Sequence, residues 1–217
     1  MMKTLVQCDF DGTITEDDAS FHLLDAHSCD DWRRLLQDYR ERRMSVLDFN
    51  TRAFATVKAD RPALLDTLKG KVKVRYGFRG FVDYCLARGF RFVIVSNGLD
   101  FYIDATMRDL GLANAEVYAA RTSFLPEGIQ VRYTAPDGQP LDDGFKEAYI
   151  RLFLKQGYRV VYMGNGESDI PAARQAHHVF ATGQLLSYYR ENFLDYRPLE
   201  NFSDAAKDLD EMLEIQV

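Results

Sequence analysis

Short apolar runs alternate with helical patterns, and this alternation restricts the fold of the 217-residue chain more than any other feature. The apolar runs lie at 4–10, 90–96, 116–119, 159–163 and 178–181, and helical patterns occur at 78–88, 100–110 and 146–156. Strands that alternate with helices form βαβ units, and such units build a parallel sheet. The sequence therefore predicts an α/β fold.

The segment 15–74 breaks this alternation. It shows helical periodicity, few β-branched runs and a Pro62 suited to the start of a helix. We interpret it as a helical cap domain inserted into a core made of 1–14 and 75–217. Within that core, Pro126, Glu127 and Gly128 at the centre of 123–133 predict a hairpin, and 201–217 forms a helix-prone tail.

The composition excludes several classes of protein. With 47% hydrophobic and 28% charged residues, the chain resembles an ordinary globular protein, and a net charge of −6 argues against nucleic-acid binding. No apolar stretch is long enough for a membrane span, and the apolar start is too short for a signal peptide. The three cysteines have no CxxC spacing, so we expect neither a disulfide framework nor a zinc site. We therefore expect a cytoplasmic location. The oligomeric state stays open.

Two carboxylates follow the first predicted strand, in the string Asp9-Phe10-Asp11-Gly12-Thr13. In an open α/β sheet, ligands bind beyond the carboxyl ends of the strands. Two carboxylates one residue apart, before a glycine that permits a tight turn, can converge on one cation. A lone D-x-D pair also occurs in helix caps and turns, so the pair alone leaves the function open.

The full string DFDGT resembles the first motif, DxDx(T/V), of the haloacid dehalogenase superfamily. The resemblance implies a Rossmann-like core in which Asp9 is a nucleophile that forms an aspartyl-phosphate and Asp11 is the general acid and base. It also places Thr13 among the phosphate-binding residues. Because true dehalogenases lack the second aspartate, Asp11 favours phosphoryl transfer over cleavage of a carbon–halogen bond.

Two further strings resemble the second and third motifs of the superfamily. Ser96-Asn97-Gly98 ends a predicted strand, where a hydroxyl and backbone N–H groups could hold phosphate. Such a string is also a common turn. Lys146 begins a predicted helix and matches the lysine that neutralises the nucleophile and the transferring phosphoryl group.

The string Gly164-Asn165-Gly166-Glu167-Ser168-Asp169 resembles the fourth, metal-binding motif, GDGxxD. The resemblance implies Mg²⁺ held by Asp9, Asp11 through its carbonyl, Asn165 and Asp169, with Glu167 as a further candidate. Asn165 departs from the motif, since its amide is a neutral oxygen ligand and should hold Mg²⁺ less tightly. Alternatively, Asn165 only closes the turn after the strand.

The position of the predicted cap, between the first and second motifs, is typical of the branch that contains phosphoserine phosphatases. The string Ser96-Asn97-Gly98-Leu99-Asp100-Phe101-Tyr102 is also similar to S-G-G-M-D-F-F in methionine-salvage phosphatases, which act on 2-hydroxy-3-keto-5-methylthiopentenyl-1-phosphate. Asp18 and Arg52 are the candidate substrate contacts in the cap. The cap arginine of phosphoserine phosphatases aligns near Thr56, and Asp18 could instead be the N-cap of the first cap helix.

Four functions therefore stay open. The favoured one is a Mg²⁺-dependent phosphomonoesterase that acts on a small phosphorylated metabolite, with phosphoserine as the alternative substrate. A phosphomutase or phosphotransferase would use the same two aspartates but keep the phosphoryl group from water. A catalytically weakened binding protein would account for Asn165, although it would have no need for Asp9, Asp11, Ser96, Lys146 and Asp169 together.

Overall fold

A computed structural model describes residues 3–214 of the chain. Its helices and strands are β1 (Thr4–Cys8), α1 (Ala19–His27), α2 (Trp32–Arg40), α3 (Val46–Phe54), α4 (Arg61–Leu68), α5 (Phe78–Ala87), β2 (Arg91–Leu99), α6 (Asp100–Asp109), β3 (Glu116–Leu125), β4 (Gly128–Arg132), α7 (Phe145–Lys155), β5 (Arg159–Gly164), α8 (Ile170–Ala173), β6 (His178–Ala181), α9 (Gly183–Glu191), β7 (Arg197–Pro198) and α10 (Phe202–Glu214). Residues 1–2 and 215–217, which fall in the predicted core and tail, lie outside the described residues.

The strands form one mostly parallel sheet in the order β4-β3-β2-β1-β5-β6-β7. Among the seven strands within residues 3–214, only β3 and β4 pair in the antiparallel sense, as the predicted hairpin. Every residue of β1 is buried, as expected for a central strand of a parallel sheet with covered faces. The predicted α/β fold is confirmed.

The strand order reverses at β1, which lies between β2 and β5. In doubly wound sheets, this reversal opens a crevice at the carboxyl ends of the strands. Asp9 follows β1 there, and Asn165 follows β5. Ser96, Asn97 and Gly98 lie within β2, which continues to Leu99 instead of ending at Ser96 as predicted. The register between β2 and β3 shifts between Val95 and Leu99, so this part of β2 is irregular.

Four helices, α1 to α4, lie within the predicted cap range. The chain leaves the sheet and returns to it side by side, because Thr15 and Val74 form an antiparallel bridge. The N–H of Arg75 donates to the carbonyl of Ile14 at 2.8 Å, which ties the two crossings together. The bridge lies at the predicted boundaries, and the division into two domains stays a prediction.

Three elements of the core were not predicted, the short helix α8, α9 and the two-residue strand β7. A two-residue strand cannot show a period in the sequence. It exists because Arg197 and Pro198 pair with Phe180 and Ala181 at the edge of the sheet, where a proline is tolerated. Among residues 3–214, no helix is both long and apolar enough to cross a membrane.

Candidate active site

Lys146 lies between two carboxylates at the crevice. Its Nζ is 3.0 Å from Oδ2 of Asp9 and 2.6 Å from Oδ1 of Asp169, and the lysine side chain is only 2% exposed. Burial lowers the pKa of a lysine, yet the charges of Asp169 and Asp9 outweigh this effect and raise the pKa of Lys146 above its ordinary value. The site therefore contains a buried lysine next to Asp9 whose charged form is favoured by two carboxylates.

Asp169 has the most complete set of hydrogen bonds in this group. Besides Lys146, the Tyr162 hydroxyl donates to Oδ1 at 2.6 Å. The backbone N–H groups of Asn165 and Gly166 donate to Oδ2 at 3.0 and 2.8 Å. Each oxygen thus accepts two donors, and the residue is 0% exposed. This geometry suits an anchor for Lys146, and it does not favour the predicted role as a metal ligand, since few lone pairs stay free.

The side chain of Asn165 lies against the turn that follows Asp11. The Thr13 hydroxyl donates to Oδ1 of Asn165 at 3.1 Å. Gly12 has a φ of +73°, and a Cβ added to it would come within 2.1 Å of Nδ2 of Asn165. Only a glycine can adopt this positive φ without strain and also leave room for the side chain of Asn165. The motif glycine therefore permits close contact between the first and fourth motifs, and Thr13 contacts Asn165 directly.

The oxygen atoms around Asp9 suit a hard divalent cation. Lys146 occupies Oδ2 of Asp9, and the carbonyl of Asp11 and the amide oxygen of Asn165 belong to the two neighbouring turns. Oxygen donors of this kind are the ones that Mg²⁺ prefers. Within 3–214, no three His, Cys, Asp or Glu side chains form a group that could hold a metal ion. The predicted set differs from such a group because it includes a backbone carbonyl and a neutral amide.

Some polar groups of the predicted phosphate-binding string 96–98 already have hydrogen-bond partners within the protein. The N–H of Gly98 donates to Oγ of Ser96 at 3.1 Å, so this N–H is already used, while the Ser96 hydroxyl proton can still be donated elsewhere. The carbonyl of Asn97 accepts from Nδ2 of Asn50 at 2.8 Å and from the Tyr133 hydroxyl at 2.6 Å. Because Asn50 belongs to α3, this contact joins the helical segment to the second motif.

Asp11 is held at both carboxylate oxygens. The N–H of Ala19 donates to Oδ1 at 2.8 Å, and the Tyr102 hydroxyl donates to Oδ2 at 2.5 Å. Burial raises the pKa of Asp11 to about 8 and that of Asp9 to about 7. Our sequence interpretation gave Tyr102 no role. The sequence signal for Tyr102 was its place at the end of the string 96–102, where the similar string S-G-G-M-D-F-F of methionine-salvage phosphatases has a phenylalanine.

A cavity of about 360 Å³ lies over these residues, between the sheet and the helical segment. Its polar side includes Asp9, Asp11, Ser96, Asn97, Gly98, Lys146 and Asn165. The helical segment contributes both apolar side chains, namely Phe21, Leu36, Tyr39, Val46 and Phe49, and polar ones, namely Glu16, Asp17, Asp18, Ser20, Arg40 and Asn50. The predicted nucleophile, acid, lysine and phosphate-binding string thus line one cavity.

The two candidate cap contacts have different positions. Asp18 lines the cavity and is also the N-cap of α1, because it accepts a hydrogen bond from the N–H of Phe21 at 3.2 Å. Arg52 does not line the cavity, in contrast to the prediction. Its side chain is 59% exposed and pairs with Asp48 one helical turn away. Arg40 of α2 lines the cavity, and the sequence interpretation gave it no role.

Relatives with known names match the whole chain. A 2-hydroxy-3-keto-5-methylthiopentenyl-1-phosphate phosphatase of Bacillus pumilus (strain SAFR-032) is 26% identical over 220 residues, which cover 100% of this chain and 95% of the relative. The protein of the same name from Bacillus mycoides (strain KBAB4) is 25% identical, with 100% of both chains covered.

Solved structures of phosphoserine phosphatases share the fold. One, of a phospho-aspartyl intermediate analogue, has a TM-score of 0.69 at 16% identity and covers 99% of both chains. Another, of a substrate-bound complex, has a TM-score of 0.71 at 16% identity and covers 95% of this chain and 98% of the other. At this identity, the likeness supports the fold alone.

The family model described as haloacid dehalogenase-like hydrolase matches residues 6–174, which include all four motifs. This match spans most of the chain, and the motif residues meet at one crevice. The chain therefore belongs to the haloacid dehalogenase-like hydrolases.

Proposed function

We propose that this protein is a phosphomonoesterase that works through an aspartyl-phosphate on Asp9. The observation that carries the proposal is the buried contact between Lys146 and Asp9, 3.0 Å apart, with Asp11 on the same cavity. A cation fixed beside a nucleophilic carboxylate can stabilise the charge of a transferring phosphoryl group without reorganisation. The two aspartates come from one turn, so they can flank the same phosphorus atom.

The proposed reaction has two steps. In the first, a carboxylate oxygen of Asp9 attacks phosphorus, the bond to the alcohol oxygen breaks, and Asp11 gives that oxygen its proton. In the second, Asp11 takes a proton from water, the water oxygen attacks phosphorus, and the bond to Asp9 breaks. Phosphate leaves, and both aspartates return to their starting states. Lys146 keeps its proton throughout, and Asp169 holds it in place.

Mg²⁺ fits the oxygen donors of Asp9, the Asp11 carbonyl and Asn165, and we propose these three as its protein ligands. Its charge would help to neutralise the phosphoryl oxygens when bound. We leave Asp169 out of this set because its oxygens already accept four hydrogen bonds.

For the substrate, we propose a small phosphorylated metabolite with an apolar end, such as 2-hydroxy-3-keto-5-methylthiopentenyl-1-phosphate. The names of the Bacillus relatives support this choice. The cavity lining adds support, since the helical segment contributes the apolar side chains Phe21, Leu36, Val46 and Phe49, which could pack against an apolar tail. Burying a methylthio group against such a wall is favourable at roughly 25 cal/mol per Å² of apolar area.

Phosphoserine stays the second candidate because Arg40 and Asp18 also line the cavity. An arginine could pair with the carboxylate of phosphoserine and an aspartate with its amino group. The two substrates can be distinguished at Arg40. If phosphoserine is the substrate, Arg40→Ala should raise KM for phosphoserine strongly, whereas KM for an uncharged-tail substrate should hardly change.

A screen for phosphate release over a panel of small phosphomonoesters, with and without Mg²⁺, tests the proposed function. We expect net release of inorganic phosphate that depends on Mg²⁺ and is highest for substrates with an apolar tail. Transfer of the phosphoryl group without net release would instead indicate a phosphomutase. Binding of phosphoesters without any turnover would indicate a weakened binding protein.

The role of Asp11 predicts an effect that depends on the leaving group. Asp11→Asn should lower kcat/KM, which reports the first step, by about 10²–10⁴-fold for an alkyl phosphate, because the departing alkoxide needs a proton. The loss for p-nitrophenyl phosphate should be much smaller, since nitrophenolate leaves without protonation. Steady-state kinetics on both substrates measure this difference, and equal losses would contradict the role assigned to Asp11.

The departure at the fourth motif predicts a change in Mg²⁺ affinity. Asn165→Asp adds a negative charge at a proposed ligand and should lower the half-saturating Mg²⁺ concentration by about 3- to 10-fold. Asn114→Asp is the matched control, because Asn114 is exposed and precedes the amino end of β3, whereas the crevice lies at the carboxyl ends of the strands. An unchanged or higher Mg²⁺ requirement in Asn165→Asp would remove Asn165 from the ligand set.

A further inference from the structure

The hydroxyl of Tyr102 has one partner in the proposed catalytic machinery, Oδ2 of Asp11. The two oxygen atoms are 2.5 Å apart, and the tyrosine is 1% exposed. Tyr102 comes from α6, whereas Asp11 lies in the turn after β1, 91 residues earlier in the chain. Asp11 is ionised once it has given up its proton in the first step, and a hydrogen bond to an ionised carboxylate is among the stronger ones in proteins.

Gly98 leaves the space in which this hydrogen bond forms. A Cβ added to Gly98 would lie 2.3 Å from the Tyr102 hydroxyl and 2.4 Å from Oδ2 of Asp11. Both distances are too short for any side chain, so an alanine at this position would push the two groups apart. Gly98 thus has a steric role besides its place in the predicted phosphate-binding string.

A second hydroxyl fixes the direction of the first. Ser20 Oγ is 2.8 Å from the Tyr102 hydroxyl, and both residues are buried. A tyrosine hydroxyl carries a single proton. Because Tyr102 donates that proton to Asp11, Ser20 must be the donor in its own contact with Tyr102. The result is a directed chain from Ser20 in α1 through Tyr102 to Asp11.

The carboxylate of Asp11 is consequently tethered at both ends. Oδ1 accepts from the Ala19 N–H and Oδ2 from Tyr102, so rotation of the carboxylate plane would break at least one hydrogen bond. Proton transfer to a leaving oxygen requires the acid within hydrogen-bond reach and in a fixed orientation. Neither Tyr102 nor Ser20 needs to touch the substrate for this effect.

We propose that Tyr102 is a positioning residue that orients Asp11 for proton transfer, with Gly98 making room for it and Ser20 fixing its hydroxyl. This inference rests on the proposed role of Asp11 as general acid and base. It goes beyond that role by assigning the orientation of the acid to a tyrosine hydroxyl on another element of the core.

The test compares Tyr102→Phe with wild type on 2-glycerol phosphate and on p-nitrophenyl phosphate. Loss of a hydrogen bond to a charged group predicts a decrease of kcat/KM, which reports the first step, of about 10- to 100-fold on the alkyl phosphate. On p-nitrophenyl phosphate the decrease of kcat/KM should be only a few-fold. Tyr149→Phe is the matched control, since Tyr149 is also buried but its hydroxyl donates to the carbonyl of Thr134.

Asp11→Asn, measured in parallel, separates the two possible failures. A leaving-group-dependent loss in Asp11→Asn but not in Tyr102→Phe overturns this inference alone. No such dependence in Asp11→Asn overturns the role of Asp11 and, with it, the inference. If Tyr102→Phe does not fold, Ser20→Ala decides: it keeps the ring in place and should show a smaller loss with the same preference for the alkyl phosphate. Equal losses on the two substrates would contradict the inference.

Discussion

Replacing Asp9 with Asn is expected to lower phosphate release by more than about 10⁴-fold, the scale on which loss of a nucleophile acts. The amide has the same shape as the carboxylate but cannot form the acyl phosphate. Lys146 would keep Asp169 as a buried partner at 2.6 Å, so the protein should still fold. Phosphate release and a urea unfolding curve, measured on the same preparation, test both statements.

Asp83→Asn provides the matched control for this variant. Asp83 is an exposed residue of α5 that pairs with Arg79, far in the sequence from every motif. The same change of charge there should leave the turnover rate within a few-fold of wild type. Substantial turnover by a folded Asp9→Asn protein would contradict the covalent mechanism. Trapping of a labelled phosphoryl group on wild type, but not on Asp9→Asn, would support it directly.

The second large effect concerns stability. Asp169→Ala removes the carboxylate that accepts hydrogen bonds from Lys146, Tyr162 and two backbone N–H groups. Removing one partner of a buried ion pair typically costs about 3–5 kcal/mol. Lys146 would keep Asp9 as a partner at 3.0 Å, but the Tyr162 hydroxyl and the two backbone N–H groups would also lose their buried acceptor. We expect a loss of this size in the free energy of unfolding, together with loss of activity, since Asp169 would no longer hold Lys146 in place.

The control is again at Asp83. Asp83→Ala breaks an ion pair whose side chains are 55% and 50% exposed, and such pairs contribute about 0–1 kcal/mol. Urea denaturation of both variants and wild type measures the difference. If Asp169→Ala is no less stable than Asp83→Ala, the buried network around Lys146 does not stabilise the fold. If stability is lost but activity per folded molecule is kept, Asp169 does not position Lys146.

The strands of the core could be predicted because a buried strand requires apolar residues, and these are visible in the sequence. A central parallel strand such as β1 or β5 is buried on both faces, so it appears as a continuous apolar run. The alternation of such runs with helical patterns then restricts the topology. By contrast, β7 has two residues and owes its structure to pairing with β6. A segment that short carries no periodic signal, so its strand depends on its partner.

The same contrast holds for the candidate site. Asp9, Asp11 and Lys146 could be named from the sequence because each belongs to a local string of fixed spacing at the end of a strand or the start of a helix. Tyr102 could not be assigned to Asp11, and Arg40 could not be chosen over Arg52, because those choices depend on the direction in which a helix presents its side chains. That direction is set by packing against residues distant in the chain.

What the sequence alone determined is the family and the order of its four motifs, since these lie in short strings whose spacing is set by local backbone geometry. Only the tertiary structure decided which polar atoms of the four motifs form hydrogen bonds with one another. Asp169 carries a carboxylate that could bind either Mg²⁺ or Lys146, and the sequence permits both. Four donors that reach it from α7, from β5 and from the turn after β5 favour the contact with Lys146. A buried carboxylate must satisfy its lone pairs where the fold places donors, and those positions are fixed only when the elements pack.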